Sequence, residues 1–244
     1  DACLRHIATL RPKGFVLVSD SERVFVAGAD LAEIDALDNP SLHAYLQAGS
    51  VAFRRITSLP CPTACVMHKA ALGGGLEIAL NSDYRTVSSS AAALALPEVF
   101  LGLIPGWGGA WLLPNLIGVR NALTVMIENP LKTNRTLSPA QALELGIADA
   151  MFPPARFLEE SLRFADEVVA GTRKVKRPHA PSALERATVW PIAINAARKA
   201  LREKIGTVAL SPYASLDLMA AAKSSTKAQG FAAEDKVLAE LISG

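Results

Sequence analysis

Two glutamates and a glycine triplet are the residues of this 244-residue chain best suited to chemistry. Glu77 follows Gly73-Gly74-Gly75 at what reads as a helix start, where unpaired backbone N–H groups point outward and the helix dipole favours negative charge. Glycine also lets another group approach the backbone closely. Taken alone, the triplet is first of all a tight strand-to-helix turn. Glu98 stands in Leu94-Ala95-Leu96-Pro97-Glu98-Val99-Phe100-Leu101, the least polar part of the chain. Burying an unpaired charge is costly, so Glu98 is either salt-bridged structurally or held at a functional site that tunes its protonation. A second small-residue turn, Ala27-Gly28-Ala29-Asp30, ends in a good helix cap and by itself predicts only a helix beginning near Leu31.

The elements that must position these groups alternate. Phe15–Val18 reads as a buried parallel strand and a polar turn leads on to Val24–Val26; Thr63–His68 alternates as a strand, which Leu72 to Gly75 breaks just before a helix over Leu76 to about Asn81, and Arg85–Val87 is the next strand candidate. Helical spacing covers Ala2–Leu10, Leu42–Leu59, Gly108–Ile117, Val119–Ile127 and Ser138–Leu145. In the last of these, Ser138 caps and Pro139 occupies the first helical position. Strands alternating with helices predict an α/β fold with a mainly parallel sheet. Beyond Phe152 the pattern is almost entirely helical, interrupted by a basic, proline-flanked linker from Arg173 to Pro181.

Half the residues are hydrophobic, 20% are charged and the net charge is +2, a globular composition. That charge is too small to imply nucleic acid or a membrane surface as partner. Ala91 to Gly118 is strongly apolar, yet Pro97, Pro105, Pro114 and five glycines exclude a continuous spanning helix. Three cysteines make an unlikely disulfide framework, and with no leader at the start of the chain the expected location is cytoplasmic. Cys61, Cys65 and His68 mimic metal-ligand spacing, but on a strand the cysteines share one face and His68 points to the other, so no metal site is expected. Trp107, between glycines, lines a ligand pocket or is simply a packed aromatic. Arg173, Lys174, Lys176 and Arg177 read as a solvated linker rather than a phosphate clamp.

Read together, Ala27-Gly28-Ala29-Asp30-Leu31, Ala71 to Ala79, Asp83-Tyr84-Arg85 and Leu96 to Gly109 resemble the crotonase family in order and spacing, from about Phe15 to Phe152. The resemblance implies a crotonase-like spiral of ββα units with a helical C-terminal region. It implies that the N–H groups of Ala29 and Gly74 form an oxyanion hole for a thioester oxygen, and that Glu77 and Glu98 are the two catalytic acids of a hydratase. Glu77 would deprotonate water and Glu98 would protonate the α carbon. Ala27, Asp30, Leu31, Gly73, Gly75 and Trp107 become substrate or coenzyme A contacts. Such a reaction uses no metal or redox cofactor; the 2-enoyl-CoA substrate carries the coenzyme A. The chemistry agrees: addition of water to a conjugated thioester builds charge on the carbonyl oxygen and requires one base and one acid.

The segment Lys174-Val175-Lys176-Arg177-Pro178 and the helices after it resemble the connection that follows the hydratase part of multifunctional fatty-acid oxidation alpha subunits. On that resemblance, residues 1–172 form the hydratase domain, with the family's first strands expected before Asp1. Residues 173–244 are then a basic linker and helical region leading toward a dehydrogenase domain, and the partners are an oligomer and a thiolase subunit. Against the family pattern, Lys69 stands where glycine is frequent, Ala32 stands where a basic residue often reaches the CoA phosphates, and the Ser88-Ser89-Ser90 loop is a residue longer. The rival activities are 3,2-enoyl-CoA isomerisation on the same fold and non-catalytic acyl-CoA binding.

Overall fold

The structure, a computed structural model, describes residues 1–28, 36–132 and 134–243. After helix α1 (Ala2–Thr9), the chain alternates between two parallel sheets. Strands β1 (Phe15–Leu17) and β2 (Val24–Ala27) precede helix α2 (Asn39–Thr57); β3 (Thr63–Met67) and β4 (Ala70–Leu72) precede α3 (Gly74–Leu80). Then come β5 (Tyr84–Ser88), β6 (Leu94–Ala95), a 3-10 turn over Glu98–Leu101 and helix α4 (Gly109–Ile117). One sheet has the order β1-β3-β5-β7, with β7 at Ala150–Phe152, and the other the order β2-β4-β6. Each of the first three passes of the chain gives one strand to each sheet, which is the expected spiral of ββα units, and β7 adds a fourth strand to the larger sheet.

Local chemistry explains the elements that were predicted. All five residues of β3 are buried, so the alternation read there marks no solvent-facing side: the strand is central and covered on both faces. Asp38 caps α2 by accepting from the Ser41 N–H at 2.9 Å. Ser138 and Gln141 form a reciprocal capping box at the start of Pro139–Leu145. Helix α3 begins at Gly74, two residues before the predicted start. Its close seat on β2 requires glycine at position 75, because a side chain there would overlap the carbonyl oxygen of Val26.

Three strands depart from the sequence reading: β7, which pairs with β5, and the two short strands β4 and β6. Ala70–Leu72 and Leu94–Ala95 pair with each other in the register Ala71↔Leu94 and Leu72↔Ala95, the first running into the break read at Leu72 and the second inside the strongly apolar Ala91–Gly118. Such short segments of small residues carry no periodicity of their own, and their partners define them. The helix beginning at Val119 is also not uniform: it runs as α5 (Val119–Leu123), loosens into a π-turn over Thr124–Glu128, and ends at Leu131.

After α6 (Pro139–Leu145) and α7 (Phe157–Val169), the linker is anchored rather than free at two of its basic residues. Arg177 pairs with the buried Asp149 at 3.5 Å and lies over the Tyr84 ring, and Arg173 pairs with Glu167. The later helices are α8 (Ala183–Ala187), α9 (Val189–Ile205), α10 (Leu210–Ala222) and α11 (Lys227–Ser243). Trp190, Ile194, Leu216 and Met219 from these helices join Leu76, Leu113 and Met126 in one hydrophobic cluster, so the C-terminal helices close the same core. No helix among the described residues is long and apolar enough to cross a membrane.

Candidate active site

The chemistry-bearing residues meet where the three strands of the smaller sheet end. Beyond β2 the chain turns at Gly28, beyond β4 at Gly73 and Gly74, and beyond β6 at Pro97 and Glu98. The parallel register, Ala27↔Leu72↔Ala95, places these three exits side by side. A methyl built on Gly73 or Gly74 would lie 3.9 or 3.8 Å from the Cα of Gly28, so the two glycine turns touch. They border a cavity of 210 Å³ also lined by Ala27, Leu46, Leu72, Glu77, Glu98, Leu101, Leu103, Ile104, Trp107 and Leu238.

Gly73 has φ +54° and ψ −127°, a conformation open only to glycine, and it turns the chain so that Gly74 begins α3. The Gly74 N–H is therefore at the first helical position, where no intrahelical acceptor exists. Glu77 sits in the first turn of the same helix and is 2% exposed. Its Oε1 accepts from the N–H of Trp107 at 2.8 Å and of Gly109 at 2.9 Å. Burial pushes the Glu77 carboxyl up to about 7, opposed by the two N–H donors, which favour its charged form.

Glu98 is held differently. It is 9% exposed, and its Oε2 is buried without a hydrogen-bond partner among the described residues. Burial, and then the negative charge of Glu77, push this carboxyl well above the usual range. Both carboxyls on this apolar cavity are pushed up, but unequally: two N–H donors support the carboxylate form of Glu77, while nothing comparable supports that of Glu98.

Of the other sequence candidates, Ala27, Gly73, Gly74 and Trp107 line the cavity. The Trp107 ring lies edge-on to Phe53 at 4.9 Å, and its Nε1 donates to the Leu46 carbonyl at 3.0 Å, so it is both packed and cavity-lining. Gly75 is turned toward β2 and away from the cavity, for the steric reason given above. Ala29, Asp30, Leu31 and Ala32 lie outside the described residues. Among the described residues no group of three His, Cys, Asp or Glu side chains could hold a metal, and His68 Nε2 bonds instead to the Ser21 carbonyl at 2.6 Å.

Two residues escaped the sequence reading. Asn81 ends α3 and donates to the carbonyls of Glu77 and Trp107, both at 2.9 Å, tying the helix to the Trp107 loop. Glu234, on α11, is fully buried and accepts from Gly108 and Trp111, where that loop enters α4. Nothing local distinguishes either one: Asn81 reads as an ordinary helix end, and Glu234 as a surface position on a charged helix.

The sequence profile described as Enoyl-CoA hydratase/isomerase matches residues 6–188, more than half of the chain. The chain belongs to the enoyl-CoA hydratase/isomerase family. Within this crotonase family it is similar to the fatty acid oxidation complex subunit alpha of Shewanella halifaxensis, 40% identical over 169 residues. That match covers 68% of this chain and 23% of the relative, so the chain spans less than a quarter of the relative's length. An enoyl-CoA hydratase from Bacillus anthracis superposes with a TM-score of 0.62 at 30% identity, over 69% of this chain and 65% of that one. An enoyl-CoA hydratase from Rhodobacter sphaeroides shares the fold over 98% of this chain and 75% of its own, with a TM-score of 0.69 at 22% identity.

Proposed function

We propose that the chain adds water to a 2-trans-enoyl-CoA, giving the 3-hydroxyacyl-CoA. The observation that carries this reading is the unequal hydrogen bonding of two buried carboxyls on one cavity, because hydration needs a base and an acid at once. The Glu77 carboxylate accepts a proton from water while the water oxygen bonds to C3. The double-bond electrons move to the thioester oxygen, which the N–H groups of Gly74 and Ala29 hold. As the carbonyl re-forms, Glu98 delivers its proton to C2, and the proton gained by Glu77 returns to Glu98 before the next turnover. Both carboxyls face one cavity, in keeping with syn addition. Leu46, Leu101, Leu103, Ile104 and Leu238 supply apolar walls for the acyl chain.

Similarity to the fatty acid oxidation complex subunit suggests a place in fatty-acid β-oxidation. An oligomeric assembly, a thiolase partner, a cytoplasmic setting and the absence of any metal or redox cofactor complete the proposal.

Glu77→Gln and Glu98→Gln test it. Each should lose about two to four orders of magnitude of turnover, followed by loss of the enoyl thioester's ultraviolet absorbance, while still binding substrate. Near-parent turnover by either folded variant would refute that residue's role. Chromatography of the product separates hydration from its rival: a shifted double bond with no hydroxyl would make the chain an isomerase, and binding without product would make it an acyl-CoA-binding module.

A further inference from the structure

The start of α4 is gripped by carboxylates from two sides. Its first N–H groups have no intrahelical acceptor, and the helix dipole favours negative charge there. Glu77 takes the N–H groups of Trp107 and Gly109 from the α3 side. From the opposite end of the chain, Glu234 Oε2 accepts from Gly108 at 2.6 Å and its Oε1 from Trp111 at 2.7 Å. From Trp107 to Trp111, every N–H but that of Ala110, which donates to the Pro105 carbonyl, therefore reaches one carboxyl or the other.

One face of α11 is shaped for this contact. A methyl on Gly230 would overlap the Trp111 ring; one on Gly108 would lie 2.9 Å from the Phe231 ring, and one on Gly106 would lie 2.7 Å from Leu238. Phe231, Glu234 and Leu238 recur at helical spacing along the loop, and Leu238 continues into the cavity wall. Burying a carboxyl this completely is expensive, and two backbone donors in one loop are what it obtains in return.

We infer that Glu234 is a positioning residue for Glu77: by holding Gly108 and Trp111 it sets the loop so that the N–H groups of Trp107 and Gly109 aim at Glu77 Oε1. The inference rests on the reading of Glu77 as the base. Loosening the loop removes the donors that keep Glu77 in its proton-accepting form. The charged groups facing Glu234 are Glu77 across the loop and its neighbour Asp235, which is paired with Arg54 of α2.

The test uses the full chain, labelled with ¹⁵N. In Glu234→Gln, one oxygen of the original pair becomes an NH₂ group that cannot accept. Amide exchange at Trp107 and Gly109, neither of which touches Glu234, should then quicken by about tenfold or more. The kcat should fall about 10- to 100-fold with KM changed less than about threefold. Asp235→Asn loosens the same helix at its Ser50 and Arg54 contacts and should leave both readouts near the parent values. If the glutamine variant does not fold, Glu234→Asp gives the same reading, because it withdraws the carboxylate by one methylene. Parent-like exchange at Trp107 and Gly109, or quickened exchange with parent kcat, overturns the inference. A parent protein without hydratase turnover would instead sink the functional reading, and the exchange measurement would still judge Glu234.

Discussion

The carboxyl of Glu98 occupies the space that a side chain on Gly73 would need: a methyl on Gly73 would lie 2.9 Å from Glu98 Oε1. The glycine that turns the chain into α3 is thus also the surface against which the acid rests. Gly73→Ala should lose about 1–3 kcal/mol of stability from its backbone conformation alone. It should also lose about 100-fold in turnover by displacing Glu98. Urea denaturation and the absorbance assay measure the two effects separately, and parent-like turnover in a destabilised variant would show that the seat of Glu98 is not critical.

At Gly74 the N–H and the steric space can be tested apart. Any Cβ there would lie 2.6 Å from the Trp107 ring, so alanine and proline both disturb that contact, but only proline deletes the N–H. Proline is tolerated at a first helical position. Gly74→Pro should therefore turn over about 100-fold more slowly than Gly74→Ala, the cost of one oxyanion donor. Equal rates in two folded variants would remove this N–H from the mechanism.

The pH dependence of turnover has a defined direction. Glu77 must be ionised to accept a proton, so kcat/KM should rise with pH through about 7. Glu98 must keep its proton, so the rate should fall again at higher pH as that well-raised carboxyl ionises. Because the two carboxyls interact, both limbs belong to the pair. A flat profile between pH 5 and 9, measured with substrate binding unchanged, would contradict the acid–base division.

Stability should respond to the same group. Unfolded, the Glu98 carboxyl ionises near its ordinary 4.5; folded, it holds its proton to a higher pH. Above 4.5 the unfolded chain binds fewer protons than the folded one, so this residue's contribution falls as pH rises through the folded value. Glutamine does not titrate. The melting temperature of Glu98→Gln should gain on the parent from pH 5 to pH 8, and a constant difference would mean that Glu98 is not held protonated by burial.

Glu77, Glu98 and the Gly73–Gly75 turn were legible in the sequence because their signals are local. A charge inside an apolar run and consecutive glycines before a helix are unusual whatever surrounds them. The strand β1 was legible for a similar reason, since Phe15 to Val18 is a continuous apolar run, and β3 by its alternation. The short strands β4 and β6 were not, because Ala70–Leu72 and Leu94–Ala95 become strands only through the neighbours that supply their hydrogen bonds. Gly75 looks like its two neighbours in sequence, yet the proximity of Val26 gives it to packing and leaves the cavity to Gly73 and Gly74. Glu234 is the sharpest case. By type and spacing it matches any solvent-facing glutamate of a charged helix. Only the docking of α11 at the start of α4 buries it, opposite Glu77, where the N–H groups of Gly108 and Trp111 donate to its carboxyl.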